Sequence, residues 1–346
     1  MNRMRIVAIV LLALPAAGWA VAPRVALACW LAAWWWALGI VLGCYVNAWM
    51  HVLTGGAWGV PVRAMAATLS RRMPVLLGGL VFVALALKLL YPWAADDAWT
   101  RGLARPTFVQ AWLTPGFFVV RLVLYGAVWW CLARPASLLT KGRAAASLIV
   151  HALVTTLAAI DIVMSLMPAW YSTAFGLVVT SAQALSGAAA VALFAPAHAS
   201  SRTPVSRDLG NLLLMWCMSW AYLAFMQYLV IWSENLPREI AWYVPRVQTG
   251  WAWIGLALAV LQLFVPFLAL LFRSIKDRPQ RLAAVAALLL AATALDAVWL
   301  VLPSVDAHSL HGWWMGPLAT AGMALLLFGG IPWRELPYVT ARFGHA

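Results

Sequence analysis

Three ionisable residues lie deep inside apolar runs of the sequence: Arg121, Asp161 and Asp296. A charge at the centre of a bilayer costs at least about 2.5 to 3.5 kcal/mol, so each needs a partner or a task. Arg121 and Asp161 fall in successive runs at similar depth, where pairing neutralises both and fixes helix packing. The alternative task for Asp161 is proton exchange coupled to the redox or conformational state of a neighbour. Asp296 has no evident basic partner in the sequence, so it is either protonated or faces a wet cavity, which makes it a good proton-relay candidate. His51, His151, Gln183, Gln227 and Gln262 add polar groups in other runs. Together they could draw a wet path toward Asp161 and Asp296, although helix-to-helix hydrogen bonding is the competing role of the amides. Lys88, near the end of a run, can snorkel, and Glu234 ends one at the interface. Haem ligation by His51 and His151 is disfavoured, because His51 sits at a helix end beside Thr54-Gly55-Gly56.

The elements that must position these groups follow from composition. Of 346 residues, 65% are hydrophobic and 10% charged, against a charged share of about 25% in soluble domains. The mean hydropathy is +0.89. The apolar runs show no period of two, and in hydrocarbon every backbone polar group must be paired within its own segment or a closed barrel. An all-α polytopic membrane protein is expected, with no sizeable soluble domain. Windows near 6–22, 26–48, 74–92, 112–133, 145–166, 173–194, 210–233, 250–272, 282–302 and 312–331 predict about ten transmembrane helices in a single membrane domain spanning 1–346. The first window also fits a signal peptide, since Arg3 and Arg5 precede an apolar run ending in small residues. The stretch 55–73 is too polar to span; it reads as a loop or as an interfacial helix with Trp58 and Met65 in lipid. The segment 94–111, with Asp96 and Asp97, is the longest outer loop.

The net charge of +13 comes from Lys and Arg scattered through short loops, which points to membrane orientation rather than to nucleic acid. With both termini cytoplasmic, sixteen of the 23 basic residues fall on cytoplasmic segments and five on the opposite side, as the positive-inside rule requires. Cys29, Cys44, Cys131 and Cys217 lie inside apolar runs without metal-ligand spacing and read as packing residues. The 23 Trp suit interfacial belts and packing. One internal echo stands out: Asp161, Val163 and Pro168 match Asp296, Val298 and Pro303 in spacing. Spans 2–5 and 6–9 would then be parallel repeats, each a four-helix bundle. Two unrelated Pro-terminated helices are the plainer account of the same echo.

Residues 161–176 read DIVMSLMPAWYSTAFG, and 208–251 read DLGNLLLMWCMSWAYLAFMQYLVIWSENLPREIAWYVPRVQTGW. These stretches strongly resemble the second NrfD-like, or polysulfide-reductase-like, membrane subunit of alternative complex III, a quinol:cytochrome c oxidoreductase. Leu113-Thr114-Pro115-Gly116-Phe117-Phe118 before Arg121, the Pro266-Phe267 pair, and Asp296 with Trp299 and Pro303 are similar in order and spacing. The resemblance covers about residues 105–305. It implies ten helices, two four-helix bundles plus peripheral helices, and no redox cofactor of the chain's own, with quinol or quinone as the only candidate ligand. By position, Arg121, Asp161 and Asp296 fall on the family's membrane-embedded charges. Trp170, Tyr171, Ser172 and Thr173 fall on its W-Y-S-T turn, and Asp208, Pro237, Trp242, Tyr243, Arg246 and Gln248 on its second motif stretch. The sequence departs from the family at Met167, where an acidic residue is expected, at Gln262, where a histidine is expected, and at Ala169, where a polar residue is common.

The resemblance implies a non-catalytic subunit of a respiratory quinol-oxidising complex in a bacterial inner membrane, supporting electron transport and proton translocation. Its partners would be a multihaem cytochrome, an iron–sulfur protein and a second NrfD-like subunit, or a haem-copper oxidase. A quinol-binding subunit docked to an iron–sulfur protein, a scaffold of a terminal oxidase and a solute transporter are the competing readings. The scaffold would suit the lost titratable groups. Transport is disfavoured because no pair of spans carries matching mid-membrane Gly/Pro breaks.

Overall fold

The computed structural model of the chain describes residues 22–95, 106–194, 203–307 and 314–331, together with Val7, Gly18 and Gly312. Its long elements are the helices α1 (Pro23–Thr54), α2 (Gly59–Ser70), α3 (Met73–Leu85), α4 (Pro115–Leu132), α5 (Lys141–Ile162), α6 (Phe175–Phe194), α7 (Thr203–Glu234), α8 (Trp251–Leu271), α9 (Pro279–Val305) and α10 (Met315–Phe328). No strand occurs among the described residues. Seven helices, α1 and α4 to α9, are long and apolar enough to cross a membrane; α2 and α3, bent by 54°, together make an eighth candidate. The chain is a polytopic helical membrane protein. The apolar windows from 26–48 onward each overlap one of these helices, while the window 6–22 falls almost wholly outside the described residues, as do Asp96 and Asp97.

Buried small residues explain the centre of the fold. α1 is almost wholly enclosed, with 94% of its apolar window buried, and it packs on α2, α5, α6, α9 and α10. Its crossing with α6 is glycine on glycine. A Cβ on Gly43 would run into the Gln183 carbonyl, and one on Gly187 into the Gly43 backbone. Small residues let helix backbones approach where lipid gives no hydrophobic driving force for association. Asn47 reinforces the crossing, donating to the Gly43 and Ala184 carbonyls at 2.7 and 2.9 Å and accepting from Trp216 Nε1 on α7 at 2.8 Å. Around this axis α1, α3, α4 and α5 contact one another in a ring, and α6, α7, α8 and α9 form a second.

Two prolines shape the second ring. Pro266 has no N–H to give the carbonyl four residues earlier, and α8 widens there into a π-helical turn, Ala259–Phe264. The Gln262 carbonyl accepts from Cys217 Sγ at 2.9 Å instead. Pro303, inside α9, likewise frees the Trp299 carbonyl, which accepts from Arg246 Nε at 3.2 Å.

One expectation changes. The stretch 55–73 forms α2, and its Met65 is 3% exposed against the protein core rather than in lipid, because Val62, Met65, Ala66 and Leu69 share one helical face turned to α1. Several tryptophans take the packing role, inside the bundle. Trp34, Trp36, Trp49, Trp93 and Trp129 donate their indole N–H across helices to carbonyl or hydroxyl oxygens, since a buried indole N–H needs an acceptor.

Candidate functional site

The structure places the intramembrane charges in two different settings. The first is built on α4 and α5. Arg121 Nε lies 2.6 Å from Asp161 Oδ2, and Nη2 lies 3.1 Å from Oδ1. One turn further along α4, the Tyr125 hydroxyl donates to Oδ2 at 2.5 Å. Trp112, closing the short helix Pro106–Trp112, donates Nε1 to Oδ1 at 2.8 Å. The same tryptophan stacks under the guanidinium, 4.2 Å from Cζ to ring centroid, and its carbonyl accepts Nη1 at 2.8 Å. Asp161 is fully buried and Arg121 is 5% exposed. Removing either partner would leave a buried charge uncompensated, so this pair is a lock. A cavity of about 520 Å³ opens beside it, lined by Trp112, Ser165, Trp170 and Arg238; Asp161 does not reach that cavity.

Asp296, on α9, is 3% exposed, yet no Lys or Arg among the described residues pairs with it. Arg246 is near but engaged elsewhere. Its four hydrogen bonds go to the carbonyls of Trp242, Trp299 and Leu300 and to the Ser304 hydroxyl. Asp296 instead borders two cavities. One, of about 30 Å³, lies between α1, α6 and α9 and is lined by Gln183, Ser186 and Thr293, room for about two waters. Both amide atoms of Gln183 there have no hydrogen-bond partner among the described residues. The other, of about 640 Å³, lies between α7, α8 and α9, with Trp220, Gln227, Trp242, Tyr243 and Trp299 on its walls. Trp220 interacts with the Asp296 carboxyl, although its N–H makes no bond of strict geometry.

The two motif stretches meet at this larger cavity. Trp170 stacks on Trp242 at 4.9 Å and donates to the Glu239 carbonyl at 2.9 Å. Ser172 donates to Gln227 Oε1 at 3.0 Å, and Gln227 Nε2 donates to the Tyr243 hydroxyl at 3.2 Å. Tyr243 lies in the connection between α7 and α8, where burial pushes its phenol up to about 12; it stays protonated. Tyr171, Thr173 and Gln248 are exposed, and Asp208 and Pro237 lie away from the cavity.

The polar residues expected to form one path are divided. His151 Nδ1 meets the Thr155 hydroxyl at 3.2 Å, which also accepts from Trp129 Nε1; Ala158 separates this group from Asp161 along α5. Gln262 is fully buried, with both amide atoms unpartnered among the described residues. His51 closes the turn after α1, bonding the Gly56 carbonyl at 2.8 Å and packing edge-on against Trp58. Gln183 and Gln227 are the two amides that reach Asp296's surroundings.

Sequence reasoning missed Trp112 and Tyr125 as partners of Asp161, and Asn47 as the clamp between α1, α6 and α7. Tyr125 was legible in principle, four residues after Arg121 and therefore on the same helical face. Asn47 is the sole amide side chain in its apolar run. Compared with known proteins, the chain matches no family model and no curated protein.

Proposed function

We propose that the chain is a membrane subunit of a respiratory quinol-oxidising complex, in which Asp296 exchanges protons while partner chains carry the electrons. In this reading ten helices span a bacterial inner membrane with both termini cytoplasmic, and the rings α1/α3/α4/α5 and α6/α7/α8/α9 are parallel repeats. The distribution of basic residues supports that orientation. The resemblance of residues 105–305 to the NrfD-like subunit supports the complex.

The observation that carries the proposal is the contrast between the two buried aspartates. Asp161 is held by a guanidinium and two further donors, so a change in its charge would break an ion pair. Asp296 has no cation to lose among the described residues and borders a small cavity where water can link its carboxyl to Gln183. A carboxyl so placed can take and release a proton without rearranging the bundle. Asn47, further along α1 toward its C-terminal end, continues the polar line from Gln183 between α1 and α6.

The test is purification of the tagged chain in gentle detergent from its native membrane, with mass spectrometry and haem spectra, alongside respiration of an Asp296→Asn strain. Co-purification of multihaem cytochrome and iron–sulfur subunits, with impaired respiration in the variant, is expected. A solitary chain and unimpaired respiration would reject the proposal.

A further inference from the structure

The cavity beside the Arg121–Asp161 lock is polar at one end only. Phe108, Val109 and Leu113 form one wall, and Leu157, Ile160 and Met164 the other. The side-chain donors that border its interior are already spent: Trp112 on the Asp161 carboxylate, Trp170 on the Glu239 carbonyl and Ser165 on the Asp161 carbonyl. A compound that needs hydrogen bonds at depth would lose them there, whereas an alkyl chain needs none. The volume of about 520 Å³ lies in the range of small-molecule sites, about 300 to 1,000 Å³. Phe108, Tyr171 and Leu157 on its rim are 66, 60 and 40% exposed, so the cavity opens sideways to hydrocarbon.

Arg238 stands at the polar end. It follows Glu234, where α7 ends, in the connection to α8, and a charged side chain at a helix end reaches the headgroup layer. Leu157 lies more than a turn inside the end of α5, so the lining runs from charge at the membrane surface to apolar groups at depth. Arg238 Nε donates to the Ala169 carbonyl at 3.2 Å, and the Tyr171 ring lies 5.6 Å from Cζ. These contacts orient the guanidinium and leave Nη1 and Nη2 without a partner among the described residues. No Asp or Glu among the described residues lines the cavity to neutralise it. A free guanidinium fork matches a phosphate in both charge and geometry.

We propose that this cavity seats an anionic phospholipid from the adjoining leaflet, its phosphodiester on Arg238 and one acyl chain between the short helix Pro106–Trp112 and α5. The apolar walls make the occupant a lipid rather than free phosphate. Such a lipid touches both rings of helices, since α5 belongs to the first ring and Arg238 to the connection between α7 and α8 in the second. It fastens the two rings at that end of the bundle, and a ligand that binds only the folded state stabilises it. The proposal is independent of the task of Asp296, which lies outside this cavity.

The test uses the full chain in phosphatidylcholine nanodiscs with increasing mole fractions of a phosphatidylglycerol that carries a photoreactive diazirine on its acyl chain, crosslinks being mapped by mass spectrometry. Arg238→Gln removes the charge, Leu157→Trp fills the apolar end, and Arg278→Gln removes an exposed charge at the opposite end of α8 as a control. Labelling should saturate on residues 106–113 and 157–164. The half-saturating mole fraction should rise about tenfold in Arg238→Gln, the loss of charge-assisted hydrogen bonds, rise likewise in Leu157→Trp, and stay unchanged in Arg278→Gln. Phosphatidylglycerol should also raise the unfolding temperature of the wild type and not that of Arg238→Gln, and melts in phosphatidylcholine alone separate a lost seat from a lost fold. Absence of saturable labelling at these residues, equal labelling by a diazirine phosphatidylcholine, displacement by inorganic phosphate, or indifference to both Arg238→Gln and Leu157→Trp would overturn the inference. So would a wild type that phosphatidylglycerol does not stabilise.

Discussion

Arg121 and Arg246 are held by the same device. Each lays its guanidinium over a tryptophan, 4.2 Å above Trp112 and 3.5 Å above Trp242, and each gives Nη1 to that same tryptophan's carbonyl. They differ in what takes the rest of the fork. Arg121 goes to a carboxylate, Asp161, and Arg246 to carbonyls at the Pro303 break of α9 and to Ser304. That difference leaves Asp296, the residue matching Asp161 in the sequence echo, without a paired cation among the described residues.

The first expectation concerns the lock. Asp161→Asn or Arg121→Gln leaves one buried charge unpaired, at a cost of about 3 to 5 kcal/mol. Thermal unfolding in detergent, followed by size-exclusion chromatography, should show a large drop for each single variant. An Arg121→Met/Asp161→Leu double variant should be less destabilised than the sum of its singles.

Arg246 should not tolerate lysine. Its planar fork reaches four acceptors on two elements while stacking on Trp242, and an ammonium can neither span nor stack in that way. Arg246→Lys is expected to lower the unfolding temperature more than Ser304→Ala, which removes one acceptor only; the same melts compare them.

Packing at the α1/α6 crossing leaves no room for a methyl group. Gly43→Ala or Gly187→Ala would push backbone against backbone, and overpacking typically costs about 1 to 3 kcal/mol even where side chains can yield. Both should reduce folded yield sharply, whereas Gly78→Ala, facing open space, should behave as wild type.

At the exposed end of α7, Arg207 makes a two-pronged contact with Asp277, 2.9 Å on each arm. The hydrogen bond from Arg207, reinforced by the positive charges of Arg207, Arg273 and Lys276, holds the Asp277 carboxyl below its ordinary value. A depressed folded-state value stabilises above the unfolded value, and that stabilisation is lost as pH falls through the folded one. The pair is solvent-exposed, so the effect should be small and should fade with salt. Carboxyl NMR of Asp277 should show its titration moving up in Arg207→Ala.

Much of the fold was legible because apolar run length reports spans directly: the runs holding Arg121, Asp161 and Asp296 became α4, α5 and α9. Which face of each run turns inward was not legible. Lipid and protein core are both apolar, so α7 reads as hydrophobic all round, and nothing in its periodicity puts Trp220 in a cavity and Phe225 at its rim. Trp112 belonged to a different short helix from its partner Asp161, and no local spacing connects them. The Arg246 contacts depend on carbonyls freed by Pro303, which the sequence marks as a break without saying what fills it.

The central claim is that two buried aspartates have different jobs, Asp161 locking helices and Asp296 exchanging protons. Infrared difference spectra of the lipid-embedded chain across a pH titration test it most directly. A carboxylic C=O band that titrates reversibly in the wild type and disappears in Asp296→Asn is the expected result. A titrating band that survives in Asp296→Asn would contradict the account.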